Sequence, residues 1–453
     1  MKFIGKEVKM CGIFGIWSVR NCLPYLAGFK GGIFHLQHRG QEHCGFAIFN
    51  GEKIVHPEPG RGLLRENFKE EKLKGLKGNF GIAHTSLGDP QPYFLSSRWG
   101  DFAVAYDGNM INADELRKEL KNKGFAFSSN WDVEIIAHLI GSEKGIIEGI
   151  EKVFGKVRGA FSILVLTREG VWVIRDSRGI RPLVIGQSKR RKMFVASSES
   201  CPFEYLNVEL VRDVKAGEVI LINQDGIKTK MSFPSPRLAH CVFEWVYFSQ
   251  PASIIEEVCV EVLRNELGLM LGNLHKHKMN VDLIGAIEDT GRGVTEGFTE
   301  ASGIPHKRIF QKYPFAHRSF TLKDAVRREI EADLKLIPIG AKVKGKRVAL
   351  GDDSRVRGTQ AKKLANRLRR VGAKKVVGVF SCPSLIAHCL YSKSTRKGEL
   401  IAVGRTEEEI KKIMRLDECI LPTVEEFVSV FEKMGLKAKD FCLACWTGKY
   451  PVQ

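Results

Sequence analysis

One stretch in the second half of the chain, KRVALGDDSRVRGTQ, combines residue types that bind phosphorylated sugars. Small and apolar residues end in two adjacent carboxylates, Asp352 and Asp353, and a loop with Gly358 and Thr359 opens a helix-like segment. Carboxylates at a strand end can hold two ribose hydroxyls or Mg²⁺, while N–H groups at a helix N-terminus can hold a phosphate monoester. Turns between a strand and a helix use the same residue types, but this order favours a binding site.

The cysteines are a second group with chemical potential. There are eleven, and the first nine residues lack the apolar centre of a secretion signal, which favours thiol chemistry or metal binding over a disulfide framework. Cys442 and Cys445 form a CxxC pair, which alone fits a redox centre, half of a zinc site or a structural role. Six others lie in apolar or mixed segments and are interpreted as small core residues: Cys22, Cys44, Cys201, Cys259, Cys382 and Cys419.

Cys11 differs from these cysteines in its position. It begins the alternating run CGIFGIW directly after MKFIGKEVKM, a segment that ends in a second methionine. The alternation predicts a buried strand, and the preceding segment has the character of a leader that is discarded. The sequence therefore places a reactive side chain at the head of a strand.

The elements that must position these residues change in character along the chain. From Cys11 to about Lys230, two helix-like segments, ADELRKELKNKG and DVEIIAHLI, interrupt a series of short alternating runs. These runs predict antiparallel strands: CGIFGIW, CGFAIFN, GNFGIAHTS, DFAVAYDGNM, AFSILVLT, GVWVIRD, LVIG, MFVASS and EVILIN. We expect an α+β first domain with helices on the faces of two sheets.

After SFPSPRLAHC the pattern alternates between helices and strands. The helix-like EEVCVEVLRNELGLMLGNLH precedes the apolar run VDLIGAI; GVTEGFTEASG and AKKLANRLRRVG then alternate with KRVALGDDS and KKVVGVFS. This order predicts an α/β domain with a parallel sheet, whose ligand sites lie at the carboxyl ends of the strands. We place the domain boundary between residues 231 and 250.

Composition narrows the class of protein. With 453 residues, 43% of them hydrophobic and 27% charged, the chain fits a globular protein of two or three domains. No run approaches the roughly 18 apolar residues of a membrane span, so we expect a cytoplasmic protein without a membrane partner. Lys and Arg total 71 against 52 acidic residues, a formal charge of +19, which favours phosphorylated ligands. The excess is spread along the chain, so a nucleic-acid partner is not the favoured interpretation.

Taken together, nine blocks of the chain resemble the amidophosphoribosyltransferases, which convert phosphoribosylpyrophosphate (PRPP) and glutamine to phosphoribosylamine at the start of purine synthesis. They follow the family's order: CGIFGIW, LQHRGQEHCGFAIFN, DGNMIN, DVEIIAHLI, RDSRGIRPLVIG, CVFEWVYFSQP, DTGRG, DDSRVRG and CLACWTGKYP. The resemblance implies a leader at residues 1–10 and an N-terminal nucleophile glutaminase domain, an αββα sandwich, at 11–240. It implies a type I phosphoribosyltransferase domain with the cluster-binding tail at 241–453.

The resemblance also assigns a PRPP site. Asp352 and Asp353 would bind Mg²⁺ and the ribose hydroxyls, and a loop at 311–319, from Gln311 to Ser319, would close over the site to exclude water. The loop from Ser354 to Gln360 would take the 5′-phosphate. The remaining residues assigned to PRPP are Asp289, Thr290 and Gly291, which would hold pyrophosphate, and Arg357, Gly358 and Thr359 of the phosphate loop.

Three positions near this site depart from the family's pattern. Gln360 replaces a second threonine, Arg355 replaces an apolar residue, and Glu288 stands where proline is usual. Because Gln360 keeps its backbone N–H, we expect phosphate binding to be weakened rather than lost. Arg355 is expected to add positive charge near a polyanion.

The resemblance supplies partners for the CxxC pair. Cys241 in HCVFEWVYF and Cys389 in HCLYSKST fall where iron–sulfur members of the family place two cluster ligands. With Cys442 and Cys445 they would give four thiolates, which suit a [4Fe–4S] cluster or a zinc ion. The residue types alone do not separate these metals; the resemblance favours the cluster, in a structural role that pins the C-terminal tail across the two domains.

In the family, the cysteine matching Cys11 is the mature N-terminal residue. Its thiolate attacks the glutamine amide, and its own α-amino group, with an ordinary pKa of about 7.7–8.0, carries the proton. We therefore expect residues 1–10 to be removed, or translation to start at Met10 with loss of that methionine. The alternative is that Cys11 is a buried strand residue of an unprocessed chain.

The other residues of this half are a mixture of matches and departures. Arg39, Gly108 and Asp132 match family positions, and Asp132 would receive the substrate ammonium. His84 stands where an arginine grips the glutamine carboxylate, and Asp107 where an asparagine forms the oxyanion hole with Gly108. A carboxylate aimed at an oxyanion would repel it, and losing one donor costs about 2.7–4 kcal/mol. We expect glutaminase activity to be weak or directed to another amide, while ammonia-dependent activity survives.

Three hypotheses follow for function. The first is an amidophosphoribosyltransferase that uses PRPP with glutamine or ammonia and, like its family, forms a dimer or tetramer. The second is a divergent paralogue that transfers ammonia or an amine to PRPP alone, or a regulator that binds a phosphorylated ligand. The third takes the positive charge as the sign of an RNA-associated protein. PRPP binding separates the first two from the third, and phosphoribosylamine formation separates the first from the second.

Overall fold

The computed structural model describes residues 10–28, 31–277, 279–313, 336–392, 395 and 398–452. Residues 1–9 of the predicted leader and residues 314–319 of the predicted closing loop lie outside the described residues. Within the part of the chain that is described, no helix is both long enough and apolar enough to cross a membrane.

The first half of the chain forms two antiparallel sheets. The strands of the first sheet are β1 (Cys11–Ser18), β2 (His43–Phe49), β3 (Ile54–Val55), β4 (Gly60–Arg61), β5 (Phe80–Ser86), β10 (Val184–Ser188), β11 (Met193–Ser197) and β12 (Glu209–Asp213). Those of the second are β6 (Tyr93–Ser97), β7 (Gly100–Met110), β8 (Gly159–Thr167), β9 (Gly170–Arg175), β13 (Glu218–Asn223) and β14 (Gly226–Ser232). Their orders are β12-β10-β11-β1-β5-β2-β3, with β4 beside β2, and β14-β13-β9-β8-β7-β6.

The two sheets face each other across one apolar layer, to which Ile13 and Ile82 contribute from the first sheet and Leu164 and Val173 from the second. Helices cover both outer faces. Over the first sheet lie α1 (Leu23–Leu26), a 3₁₀-helix (Gly32–Arg39), α2 (Leu64–Asn67), α3 (Glu70–Leu73) and α7 (Pro202–Leu206); over the second lie α4 (Ala113–Asn122), α5 (Asp132–Gly141) and α6 (Ile146–Lys156). The alternating runs thus bury one side between sheets and the other under helices, which confirms the predicted αββα sandwich.

The second half contains a four-stranded parallel sheet. Its strands are β18 (Leu283–Ala286), β21 (Arg347–Asp352), β22 (Lys375–Phe380) and β23 (Glu418–Ile420), in that order. Three short pairs accompany it: β15 (His240–Cys241) with β24 (Phe441–Cys442), β16 (Ile254–Ile255) with β17 (Val258–Cys259), and β19 (Phe310–Lys312) with β20 (Leu336–Pro338). The predicted parallel α/β architecture is confirmed.

Helices connect and flank these strands. They are a π-helical turn (Glu244–Phe248), α8 (Val260–His275), α9 (Gly291–Ser302), α10 (Gly340–Val343), α11 (Thr359–Arg370), α12 (Glu407–Met414), α13 (Val424–Lys433), a 3₁₀-helix (Ala438–Asp440) and α14 (Ala444–Thr447). The helix predicted from Glu256 begins only at Val260. Glu256 and Glu257 have φ angles of 44° and 67°, so they form the left-handed turn of the β16–β17 hairpin, a conformation that a right-handed helix does not contain.

Candidate active centres

Cys11 lies at the head of β1, where its side chain is buried. Strand β1 pairs with β5 on one side and β11 on the other, so the cysteine stands at the end of a central strand. Its backbone nitrogen donates to Oδ1 of Asp107 at 3.1 Å, and its carbonyl oxygen accepts from Nε of Arg39 at 2.8 Å. Charged side chains therefore fix the backbone of the predicted nucleophile on both sides.

Arg39, at the end of the 3₁₀-helix, is fully buried and uses all of its donors within the protein. Besides the bond from Nε, Nη1 donates to Glu199 at 2.7 Å and to Glu244 at 2.9 Å. Nη2 donates to Glu244 at 3.0 Å and to Asp107 at 3.4 Å. An arginine has five N–H donors, so this geometry gives Arg39 a positioning role rather than direct contact with glutamine.

Asp107 lies on β7 beside Gly108, and both of its carboxylate oxygens are occupied. Arg181 donates from Nε to Oδ2 at 3.1 Å and from Nη2 to both oxygens at 3.0 and 3.2 Å, and Arg39 adds the longer contact. Its carboxylate faces two guanidinium groups and the Cys11 nitrogen. From the sequence we expected the Asp107 carboxylate to repel an oxyanion. In the structure its negative charge is instead compensated by Arg181 and Arg39, so that repulsion is not expected.

Two glutamates complete this buried network, and the sequence analysis missed both. Glu244, three residues after Cys241, accepts from Arg39 and forms an ion pair with Arg181, whose Nη1 lies 2.8 Å from Oε1. Burial opposes ionisation of Glu244, but the two arginines outweigh it and lower its pKa. Glu199 pairs with Arg39 and with His38, at 2.7 Å each. The only sequence signal was a charged residue within apolar stretches such as VFEWVYF.

His84 is completely buried on β5, opposite Ile13 of β1. Burial lowers the pKa of its imidazole to about 3, so the ring is neutral at physiological pH. Within the described part of the chain, neither ring nitrogen makes a hydrogen bond of ordinary geometry. A neutral ring cannot supply the positive charge that grips a carboxylate.

Three further residues converge on this region. Asp132 is the first residue of α5 and is fully buried, so its carboxylate lies at the positive end of the helix. Burial raises the pKa of the Tyr106 hydroxyl, and the negative charges of Asp132, Asp107 and Cys11 raise it further. Gly108 has φ +152°, and a Cβ there would lie 2.0 Å from the carbonyl oxygen of Ala160, so only glycine fits. The structure thus brings the sequence-predicted residues Arg39, Asp107 and Asp132 together around Cys11. His84 of the same sheet is neutral there, so it cannot replace the arginine that is usual in the family.

In the second half, Asp352 ends the parallel strand β21 and Asp353 follows it, both largely buried. The hydroxyls of Thr290 and Ser354 donate to the Asp353 carboxylate. Burial raises the pKa of Asp352, and the neighbouring charge of Asp353 raises it further. Burial likewise raises the pKa of Asp353, against the opposing effect of the two hydroxyls. The pair lies where the parallel sheet was predicted to place a ligand site.

The turn at 289–291 packs directly against this strand end. A Cβ on Gly291 would lie 2.4 Å from the carbonyl oxygen of Gly351, so the close approach requires glycine. Asp289 forms an ion pair with Lys312, and the peptide bond between Glu288 and Asp289 is cis. The two segments predicted to bind pyrophosphate and ribose are therefore adjacent.

The predicted phosphate loop leads from this strand into α11, which begins at Thr359 after Gly358 at φ +70°. The N–H groups of a helix N-terminus thus face the loop, as a phosphate site needs. Arg357 is half-exposed and pairs with Glu399. Arg355 is buried and pairs with Glu407 through Nη1 and Nη2 at 2.7 and 2.6 Å. The expectation that Arg355 adds free positive charge near the ligand is wrong, because this carboxylate neutralises it.

The four cysteines assigned to a cluster line a single small cavity of about 20 Å³. The parallel pairing of β15 with β24 places Cys241 opposite Cys442, and Cys445 follows in α14. The Sγ of Cys389 accepts from the nitrogens of Tyr391 and Ser392 at 3.4 Å each and from the Ser392 hydroxyl at 3.3 Å. Among the described residues, no three His, Cys, Asp or Glu side chains lie close enough to hold one metal ion.

The cavity adjoins the glutaminase centre. Arg181, which holds Asp107, also lines it. Asn109, two residues after Asp107 on β7, donates from Nδ2 to the carbonyl oxygen of Leu390 at 2.6 Å. The loop that carries Cys389 is therefore tied to the strand that carries Asp107 and Gly108.

Comparison with known proteins decides the family. A family model described as a glutamine amidotransferase domain matches residues 79–203. The amidophosphoribosyltransferase of Methanocaldococcus jannaschii is 37% identical, and the match covers 98% of this chain and 98% of that protein. The chain belongs to the amidophosphoribosyltransferase family. The amidophosphoribosyltransferase of Bacillus subtilis is 33% identical, over 98% of this chain and 94% of its own length.

Solved structures agree with this assignment. The glutamine PRPP amidotransferase of B. subtilis, in complex with ADP and GMP, superposes with a TM-score of 0.89 at 32% identity, covering 98% of both chains. The family and fold inferred from the nine sequence blocks are confirmed. The domain limits at residues 10/11 and 240/241, and the roles of individual site residues, stay predictions.

Proposed function

We propose that the chain transfers ammonia from glutamine to PRPP, forming 5-phosphoribosylamine, glutamate and pyrophosphate, the first step of purine nucleotide synthesis. The observation that supports this is the coexistence, in one member of the family, of a buried cysteine held through its backbone and a carboxylate pair at the end of a parallel strand. We place the reaction in the cytoplasm and expect a homodimer or homotetramer. The test is whether the purified protein forms phosphoribosylamine from PRPP and glutamine. Failure to form it with glutamine and also with ammonia would refute the proposal.

We propose that removal of residues 1–10 frees the α-amino group of Cys11. In the glutaminase half, the Cys11 thiolate then forms a bond to the amide carbon of glutamine, and the C–N bond breaks as the leaving nitrogen takes the proton carried by that α-amino group, so that ammonia is released. Water then cleaves the thioester, returning the thiol and releasing glutamate. Arg39 and Asp107 fix the Cys11 backbone during both steps, and Asp132 receives the substrate's ammonium group. The Gly108 backbone N–H is the donor left at the oxyanion position, because the Asp107 side chain is engaged with Arg181.

In the phosphoribosyl half, the ammonia nitrogen forms a bond to C1 of the ribose as the bond from C1 to pyrophosphate breaks. The loop from Ser354 to Thr359 holds the 5′-phosphate, and the turn at 289–291 holds pyrophosphate. Asp352 and Asp353 supply hard oxygen ligands, which suit Mg²⁺. When bound, Mg²⁺ supplies positive charge that stabilises the leaving pyrophosphate.

We also infer that Cys241, Cys389, Cys442 and Cys445 hold a [4Fe–4S] cluster. Support comes from the donor set, four thiols around one cavity with apolar neighbours such as Val242 and Leu390. Zinc held by the same four cysteines is the alternative, because thiolate ligands suit both groups; the family resemblance favours the cluster. Iron and sulfide content per chain, with the visible absorption spectrum, tests the assignment; one zinc per chain without iron would contradict it.

A second candidate keeps the phosphoribosyl reaction with ammonia but with weak use of glutamine. The observation that favours it is His84, a neutral buried ring where a cationic grip on the substrate carboxylate is expected. Compensation of the Asp107 charge removes the other reason for this prediction. Steady-state rates with glutamine and with ammonium chloride separate the two candidates, and a normal glutamine rate with micromolar affinity would rule out the second.

A further inference from the structure

The contact between Asp107 and the Cys11 nitrogen has a different chemical meaning before and after removal of residues 1–10. In the intact chain this nitrogen belongs to a peptide bond and donates a single N–H to Oδ1 at 3.1 Å. In a chain that begins at Cys11, the same nitrogen is an amine that can carry a positive charge. Asp107 would then face an ammonium group in a fully buried position.

The buried network around this contact is short of positive charge. Asp107, Glu199 and Glu244 bring three carboxylates, against two guanidinium groups from Arg39 and Arg181. All five side chains are almost completely buried. The Cys11 nitrogen, beside Asp107, is placed to supply further positive charge to this network.

The charged and titratable groups around the Cys11 nitrogen come from several elements, and His84 of β5, the strand paired with β1 at Cys11, is neutral. Asp107 and Tyr106 come from β7, Arg39 from the 3₁₀-helix, and Arg181 from the segment after β9. Asp132 at the start of α5 and Glu244 of the π-helical turn lie behind them. The two arginines disfavour an ammonium group at this position, whereas the carboxylates favour it, and the nearest is Asp107.

We propose that Asp107 is a positioning residue that holds the nitrogen of Cys11 as an ammonium group once Cys11 is the first residue of the chain. The inference rests on one part of the proposed function, a free α-amino group at Cys11, and so on the removal of residues 1–10 expected from the sequence. An adjacent buried carboxylate favours the charged form of an amine, so the amino group becomes a free base only above its ordinary range. The ammonium group in turn favours the thiolate of the same residue. Asp107 thus fixes where the nucleophile's own base lies and at which pH it acts.

The test is a titration of the Cys11 α-amino group in the protein purified after expression of the whole coding sequence. Intact mass first shows which residue begins the chain, and trace acetylation with acetic anhydride across pH, read on the Cys11 peptide by mass spectrometry, then gives the pKa of that amine. We expect a value at least about one pH unit above the ordinary 7.7–8.0 in the wild type. Asp107→Asn should return it to that range.

Two further variants separate this role from simple damage. Arg181→Gln leaves the Asp107 charge less compensated, so the pKa of the amine should rise rather than fall. Asp213→Asn removes a partly buried carboxyl group of the same half that accepts from the Glu256 nitrogen, outside the network, and should leave the titration unchanged. Opposite shifts for Asp107→Asn and Arg181→Gln cannot both come from loosened packing.

Several results would overturn the inference. They are an active chain that retains residues 1–10, a wild-type amine with an ordinary pKa, or equal titrations for wild type and Asp107→Asn. A chain with the expected titration but no formation of phosphoribosylamine would refute only the proposed function, since the titration does not require turnover.

Discussion

In the glutaminase centre the buried carboxylates are paired with arginines, whereas in the PRPP site two buried carboxylates lie next to each other. Around Cys11, two arginines pair with the carboxylates inside the protein, and the pKa of Glu244 is lowered as a result. At the PRPP site, Asp352 and Asp353 lie next to each other, and burial with their mutual repulsion raises the pKa of Asp352. The first centre is therefore organised by the chain alone, whereas the second has carboxylates that a bound cation would stabilise.

The largest expected effect comes from removing the nucleophile, which should lower the glutamine-dependent rate and not the ammonia-dependent rate. Cys11→Ser should lower the glutamine-dependent rate by at least about 10³-fold, because the attacking thiolate is lost. The ammonia-dependent rate should stay within about twofold of the wild type, since the PRPP site is untouched. Cys22→Ser, a buried cysteine outside both centres, is the matched control. Equal loss of both rates in Cys11→Ser would contradict the assignment of glutamine hydrolysis to one centre and of ammonia transfer to the other.

The next largest effect concerns the PRPP site. Asp352→Asn should reduce the glutamine- and ammonia-dependent rates together, by about 10²-fold or more, because Asp352 is the proposed ligand of Mg²⁺ and ribose in the step that both reactions share. Asp282→Asn, a partly exposed carboxylate paired with Arg347 outside the site, serves as the control. A variant that lost only the glutamine-dependent rate would show that Asp352 acts elsewhere.

Glu244→Gln tests whether the ion pairs of Glu244 with Arg39 and Arg181 hold the glutaminase centre in place. Removing one charge from a buried network costs about 3–5 kcal/mol, and chemical denaturation should show a loss of that order. Because Arg39, which donates to the Cys11 carbonyl, loses one of its carboxylate partners, we expect the glutamine-dependent rate to fall about tenfold, with a smaller change in the ammonia-dependent rate.

A surface pair provides the comparison for this variant. Glu119→Gln removes the common partner of two partly exposed lysines, Lys123 and Lys156, which should cost no more than about 1 kcal/mol. Equal losses of stability in the two variants would show that the Glu244 network is not organised as the structure indicates.

The smallest expected effect is a pH dependence of stability from His84. Its pKa is lowered to about 3 in the folded chain by burial, so between about pH 6.5 and 3 the unfolded state binds more protons than the folded state. Stability should therefore fall as the pH is lowered through this window. His84→Gln should flatten that slope by up to one proton in urea melts at a series of pH values, whereas an unchanged slope would show that His84 is not buried and neutral.

The fold was largely predictable because its strands carry strong local patterns. Residues alternate in CGIFGIW and AFSILVLT because one face of each strand packs on the partner sheet and the other face packs on helices. The start of α8 was not predictable in the same way: Glu256 and Glu257 adopt left-handed φ angles that their side chains do not favour. Local propensity cannot signal a turn that tertiary contacts impose.

The candidate sites were predictable in their nucleophile and acidic residues but not in their charge pairing. Arg39 and Glu244 are 205 residues apart in sequence, and nothing in their local segments indicates that they meet. The same holds for Arg355, whose partner Glu407 lies 52 residues away. Side-chain direction, which decides whether Asp107 opposes or supports the nucleophile, becomes visible only when the strands are assembled.

The most direct test of the account uses glutamine labelled with ¹⁵N at its amide and unlabelled ammonium chloride in the same reaction with PRPP and Mg²⁺. We expect the wild type to form phosphoribosylamine that carries ¹⁵N from glutamine. Cys11→Ser should lose that label and continue to form unlabelled product. Product that never carries ¹⁵N in the wild type would contradict the claim that the two centres work as one enzyme.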